Sequence, residues 1–149
     1  MKIIVVGTHD TKGEELRFVK QLIESKGHEA RTIDCGIMGQ PAFEPGISRR
    51  EVAAAVGTTI EKILAKKDKN FAIATMTEGT EKLVLELHGR GELDGIIALG
   101  GGQGTVMGTT VMKALPFGVP KVMISAVANG QAPFGPFVGI RDITIIHSV

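Results

Sequence analysis

The chemistry on offer in this chain is concentrated in two glycine-bearing stretches, Gly7-Thr8-His9-Asp10-Thr11-Lys12-Gly13 and Leu99-Gly100-Gly101-Gly102-Gln103-Gly104-Thr105. Each follows a short apolar run and leads into a helical pattern. A strand that turns on glycine into a helix bares backbone N–H groups at the positive end of that helix, which is where a phosphate or another anion is held. Lys12 adds a point charge of the right sign. Thr8, Asp10 and Thr11 supply oxygens that suit Mg²⁺ held through water, and Thr11 doubles as a helix cap. The pair of stretches therefore reads as a phosphate cradle.

Neither stretch is a strict nucleotide motif. The first has the form G-x-x-x-x-K-G where a P-loop needs G-x-x-x-x-G-K-[ST], and the second lacks the last glycine of G-x-G-x-x-G. A dinucleotide site is disfavoured on that ground. Asp34 ends the second expected strand, at the position where nucleotide-binding sheets place a ribose-binding carboxylate. Ser125, at the head of Ser125-Ala126-Val127-Ala128-Asn129-Gly130, adds a hydroxyl on the same rim. His9 sits in a loop suited to acid–base work, although a solvated loop histidine is the plainer reading. Cys35 has no basic or histidine neighbour in sequence and reads as a small buried side chain. His28, His88 and His147 show no metal-ligand spacing, so no protein-built metal centre is expected. These residues leave open whether the cradle only binds or also reacts.

The elements that must position these groups follow from periodicity. Residues 2–6 read as a fully buried strand. Thr11-Lys12-Gly13-Glu14 has the form of a capping box, opening a helix whose apolar face is Leu16, Val19, Leu22 and Ile23, with Gly27 as its stop. A strand over 29–34 precedes a loop, Cys35 to Ile47, holding two prolines and three glycines. Ser48-Arg49-Arg50-Glu51 is a second capping box, followed by a helical stripe Val52, Val56, Ile60, Ile63 and Leu64. Lys66 to Lys69 reads as a solvated helix end. From Phe71 the spacing of Ala72, Met76, Thr80, Leu83, Val84 and Leu87 predicts a helix to about His88. A third strand over 94–99, a helix from Thr105 to Leu115, a fourth strand over 121–125 and a fifth over 142–148 complete the series. The long loop Ala126 to Arg141 carries Phe134 and Phe137 and reads as a lid or a contact surface.

Alternation of strand and helix argues an α/β fold: an open, mostly parallel five-stranded sheet in a Rossmann-like or flavodoxin-like three-layer sandwich. With strand order 2-1-3-4-5, the ligand crevice lies at the carboxyl ends of the first and third strands, bordered by the two glycine stretches. The 149 residues form one domain by length. Seventeen basic against sixteen acidic residues give a net charge of +1, and neither tyrosine nor tryptophan occurs, so no nucleic-acid partner is expected. No apolar run reaches the length of a membrane span. The amino terminus has no signal-peptide pattern, and with one cysteine a cytoplasmic protein is expected.

With these residues in view, the chain resembles the UPF0261 family, the Tm-1-like ATP-binding proteins. The resemblance rests on Asp10-Thr11-Lys12-Gly13, on Gly100 to Thr105, on Gly118-Val119-Pro120-Lys121 and on Ile146-His147-Ser148-Val149. It implies ATP as ligand, and contacts at Gly7, Thr8, Asp10, Lys12, Gly101, Gly102, Gly104 and Thr105. It also implies that this domain comes first in a longer chain, so a second domain or a homo-oligomer is the expected partner. Two positions depart from the family pattern, which has a small or apolar residue at His9 and a different residue at Gln103. A second reading is half of an enzyme acting on a phosphorylated or carboxylate metabolite, completed by the second domain.

Overall fold

The five expected strands pair into one sheet in the computed structural model, which describes residues 1–131 and 133–148. The strands are β1 (Lys2–Gly7), β2 (Glu29–Asp34), β3 (Gly95–Gly100), β4 (Lys121–Ser125) and β5 (Thr144–His147). Every pairing is parallel and the order is β2-β1-β3-β4-β5. This is the expected doubly wound α/β order. It reverses between β1 and β3, so the carboxyl ends of those two strands flank an open crevice.

The helices are α1 (Gly13–Ser25), α2 (Arg49–Ala55), α3 (Ile60–Ala65), α4 (Lys69–Gly89), α5 (Gly102–Ala114) and the short α6 (Gly135–Val138). Helices α2 to α5 cover one face of the sheet. There Ile4, Val6, Ile33, Ile96, Ala98 and Met123 meet Val52, Ile63, Met76, Val84, Val111 and Met112 in the main core. On the other face α1 packs over β1 and β2, with Leu16, Val19 and Ile23 against Val5 and Leu99. Gly79 allows α4 to touch α2, since a Cβ there would run into the Val52 carbonyl.

Several boundaries differ from the sequence reading for local physical reasons. The expected Thr11 capping box does not form. The N–H groups of both Thr11 and Lys12 donate to the Thr8 carbonyl, so a tight turn delays the helix and Lys12 becomes its N-cap, with no side-chain hydrogen bond. The Ser48 box does form, with Ser48 N–H donating to Glu51 Oε2 at 2.7 Å and Glu51 N–H to Ser48 Oγ at 3.3 Å. The stripe that follows is two helices, broken at Gly57, whose φ is +72°. Helix α5 begins at Gly102, three residues before the expected Thr105, so much of the glycine turn is already helix. The loop Ala126 to Arg141 contains α6, with Ala132 outside the described residues.

The shorter β5 has a tertiary cause, because Asp142 is turned back toward Lys121. The Lys121 side chain is buried. Its Nζ donates to the Pro116 carbonyl (2.7 Å), the Val119 carbonyl (2.9 Å) and Asp142 Oδ1 (2.8 Å). This lysine closes the turn between α5 and β4. Lys121→Met removes the donor and leaves its acceptors behind. We expect a loss on the order of 3 kcal/mol in chemical denaturation, with no change in far-UV circular dichroism of the folded protein.

Candidate functional site

A cleft of about 450 Å³ opens at the carboxyl ends of β1 and β3, where the strand order reverses. One wall is the β1–α1 turn, with Thr8, Asp10, Thr11 and Lys12. The facing wall is the start of α5, with Gly101, Gly102, Gln103 and Gly104. The floor is apolar, formed by Ile37, Met38, Ile73 and Met107. Lys69, the first residue of α4, stands at the opening.

The start of α5 is the most distinctive part. Its N-cap, Gly101, offers no side-chain oxygen, and Thr105 N–H, which donates to the Gly101 carbonyl, makes the first backbone bond of the helix. Among the described residues nothing accepts from the N–H groups of Gly102, Gln103 or Gly104. Helices α2, α3 and α4 are each capped by a side chain, from Ser48, Thr59 and Asp68. Helices α1 and α5, whose first turns form the two glycine-bearing walls of the cleft, have no such cap. At α1 the acidic first turn compensates: Glu15 pairs with Lys12 at 2.8 Å. That bond and the Glu15 backbone N–H hold its carboxyl below the usual range. At α5 no acidic residue does so.

The glycines of this turn separate into two kinds. A Cβ on Gly100 would lie 2.6 Å from Gly104 Cα, so Gly100 is required for the strand to pass under the helix. Gly101 and Gly102 have open space where a Cβ would be, and neither has a positive φ. Nothing within the fold requires their bareness, and both line the cleft.

The remaining expected site residues stand behind the lining. Gly7 packs under Leu16. Asp34 is buried, and its Oδ1 accepts from the N–H groups of His9 (3.0 Å) and Gly36 (2.8 Å). It therefore braces two loops. Thr105 and Ser125 are buried and share a 2.6 Å hydroxyl contact that ties α5 to β4. Asp10 does line the cleft, but its Oδ2 accepts from Met38 N–H (2.8 Å) and Gly39 N–H (3.0 Å). Its main service is to hold the loop after β2 against the β1–α1 turn. Among the described residues no group of three or more His, Cys, Asp or Glu is arranged to hold a metal ion.

Sequence reasoning missed Lys69 and the apolar floor. Lys69 sits inside a run of charges that reads as a solvated helix end, but a lysine in the first turn of a helix opposes the helix dipole. That mismatch was the available signal. Cys35 borders the cleft but is buried, and burial, joined by the Asp34 carboxylate, pushes its thiol far up.

His9 is fully buried, in contrast to a solvated loop histidine. Its ring stacks on Phe43 at 4.5 Å, and neither ring nitrogen has a hydrogen-bond partner. Burial lowers its pKa below the ordinary 6.5, opposed by the Asp34 and Asp10 carboxylates. The folded state therefore binds this proton less readily than the unfolded chain. Stability is complete above about pH 6.5 and declines as pH falls from there toward the lower folded value. Urea midpoints measured between pH 7.5 and pH 5 should fall in the native protein. They should fall less in His9→Met.

Two comparisons with known proteins bear on this site. The family model described as "Uncharacterised protein family (UPF0261) N-terminal domain" matches residues 1–149. A UPF0261 protein of Clostridium tetani is 44% identical over 148 residues, covering 99% of this chain and 36% of that protein. A Brucella suis UPF0261 protein is 44% identical over 127 residues, covering 85% of this chain and 30% of its own length. The ToMV susceptible protein tm-1(GCR26) of Solanum lycopersicum is 28% identical over 163 residues, covering 99% of this chain and 21% of its own. The chain thus spans about a third or less of the length of these curated relatives.

Proposed function

The chain belongs to the UPF0261 family, and on that premise we propose that its cleft is a nucleotide-binding site, with ATP as the ligand. The observation that carries the reading is the start of α5, where three N–H groups with no acceptor among the described residues lie beside two glycines that the fold itself does not require. Together these suit a phosphate approaching the backbone closely. Lys12 and Lys69 supply positive charge from two other sides of the cleft. The apolar floor of Ile37, Met38 and Ile73 suits a planar base, held by burial rather than by aromatic stacking. Mg²⁺, where it accompanies ATP, is carried in this reading by the phosphates and water, in the manner of a hard cation that keeps most of its hydration.

Lys12 must leave Glu15 to reach a phosphate, and both side chains are about half exposed, so that exchange costs little. We expect Lys12→Ala and Lys69→Ala each to weaken ATP by about 1–3 kcal/mol and adenosine hardly at all, as measured by titration calorimetry. Equal losses for both ligands would remove the lysines from the phosphate site. The broader test is a thermal-shift panel of ATP, GTP, NAD, pyrophosphate and adenosine, with and without Mg²⁺. A ligand that binds only the native state raises the midpoint. No shift from any nucleotide would overturn the reading.

A second reading is favoured by one observation, the share of the relatives that this chain spans. Under it the cleft is half of an enzyme active site for a phosphorylated or carboxylate metabolite, with its reactive groups on the remainder of the longer proteins. Turnover of such a metabolite by a full-length relative, with no nucleotide-induced shift in this chain, would favour it.

A further inference from the structure

A parallel sheet is ordinarily buried on both faces, because its crossover connections lay helices over each. Here α2 to α5 lie over one face, while among the described residues the other carries α1 alone, over β1 and β2. Leu99, at the end of β3, still lies under α1, and beyond it the part of that face formed by the start of β3 and by β4 and β5 is covered by no helix among the described residues. Ile97, Val122 and Ile124 point outward there and are only partly buried, and Ile146, in register with Ile124, is 48% exposed. Beside this strip, α1 presents Phe18 (65% exposed) and Leu22 (47%) one turn apart. Leu22 lies about 140° round the helix from Arg17, which reaches back to Ala42 and Phe43 on the β2 side, so it falls on the flank toward the strip, while Phe18 faces solvent at the rim. The open strip is therefore an apolar trough, floored by three strands and walled by α1.

We infer that this trough is the docking surface for one amphipathic α-helix, belonging to the polypeptide that follows this domain in its longer relatives. The dimensions fit a single helix. Two inter-strand spacings give a floor about 10 Å across, and a helix with its side chains is about 10 Å wide. The topology fits as well. β5 is the edge strand on the far side of the trough, so a chain leaving its carboxyl end can turn back along the floor, antiparallel to the strands, as α1 does between β1 and β2. The matched domain is the N-terminal one and spans 36% of the Clostridium tetani protein, so ample polypeptide follows it there. A second copy of this chain fits less well. Flat sheet-on-sheet packing needs the two faces about 10 Å apart, and α1 stands that far above the same face. The inference is independent of what the cleft binds.

The test compares the 149-residue chain with the same chain extended by the 40 residues that follow the matched region in the Clostridium tetani relative. Ile124→Cys and, separately, Val122→Cys are introduced into both, and their labelling by a maleimide is timed, with the native sequence and its buried Cys35 as baseline. We expect both positions to label at least tenfold more slowly in the extended chain. Ile146→Lys should restore fast labelling there without changing the far-UV circular dichroism of either form. Equal rates in the two chains would overturn the inference. Slow labelling already present in the 149-residue chain, relieved by dilution together with a fall in molecular mass, would assign the trough to a second copy and overturn it equally.

Discussion

Gly102→Asp should abolish tight ATP binding while leaving the ligand-free protein as stable as before, or slightly more so. Gly102 is the first residue of α5, its Cβ position is open, and its φ is not positive, so an L side chain is accommodated without strain. An aspartate in the first turn interacts favourably with the helix dipole and with the unpartnered N–H groups, worth about 0.3–1 kcal/mol. A rise of about 1–3 °C in the thermal midpoint follows for a domain of this size. The same carboxylate occupies the place proposed for the phosphates. Like charges brought together in a partly desolvated site cost several kcal/mol, so affinity should fall at least about thirtyfold, equivalent to about 2 kcal/mol. Titration calorimetry and ligand-free melting, run on the same preparation, read the two effects separately. A parallel fall in both would make Gly102 a structural glycine. Unchanged affinity would move the phosphates away from α5.

Two residues earlier the opposite result is expected. Gly100→Ala places a Cβ 2.6 Å from the Gly104 Cα and 3.1 Å from the Thr105 nitrogen, all backbone atoms that no rotamer change can move aside. The start of α5 must shift as a body. Thr105 cannot follow freely, because its hydroxyl is held by the Gly101 carbonyl at 2.7 Å and by Ser125 at 2.6 Å. Overpacking of this kind costs about 2–3 kcal/mol, which corresponds to a midpoint about 5–10 °C lower. ATP affinity should fall with it, since the amides that would meet the phosphates move. Differential scanning calorimetry checks the first effect, and a Gly102→Ala control should show neither loss. The pair of variants tests whether one glycine turn holds two kinds of glycine, one serving the fold and the other facing the cleft.

Residues at the strand-to-helix junctions were the most legible in the sequence. The buried runs at 2–6, 94–99 and 121–125, each ending at or beside a glycine or a small polar residue, identify a parallel α/β sheet because a strand covered on both faces needs an unbroken apolar run. The strand order then brings the two glycine stretches to one crevice, so eight of the expected site residues line it, from Thr8, Asp10, Thr11 and Lys12 to Gly101, Gly102, Gln103 and Gly104. Capping was legible where it depends on neighbours alone, as at Ser48. It was not legible at Thr11, where the Thr8 carbonyl takes two N–H groups and shifts the start of the helix.

What the sequence determined by itself is the local alphabet of this protein: which runs are strands, which are helices, and where glycine turns join them. These depend on periodicity and on interactions within a few residues. The tertiary structure alone decided the service of the polar groups. Asp34 and Asp10 hold loop N–H groups, Ser125 binds Thr105 across 20 residues, Lys121 closes a turn on Asp142, and Lys69 arrives at the cleft mouth from the far side of a long crossover. The reason is physical. A carboxylate or an ammonium has the same intrinsic chemistry wherever it occurs, and its role follows from which partners the fold brings within about 3 Å. The decisive ones lie 20 or more residues away in the chain.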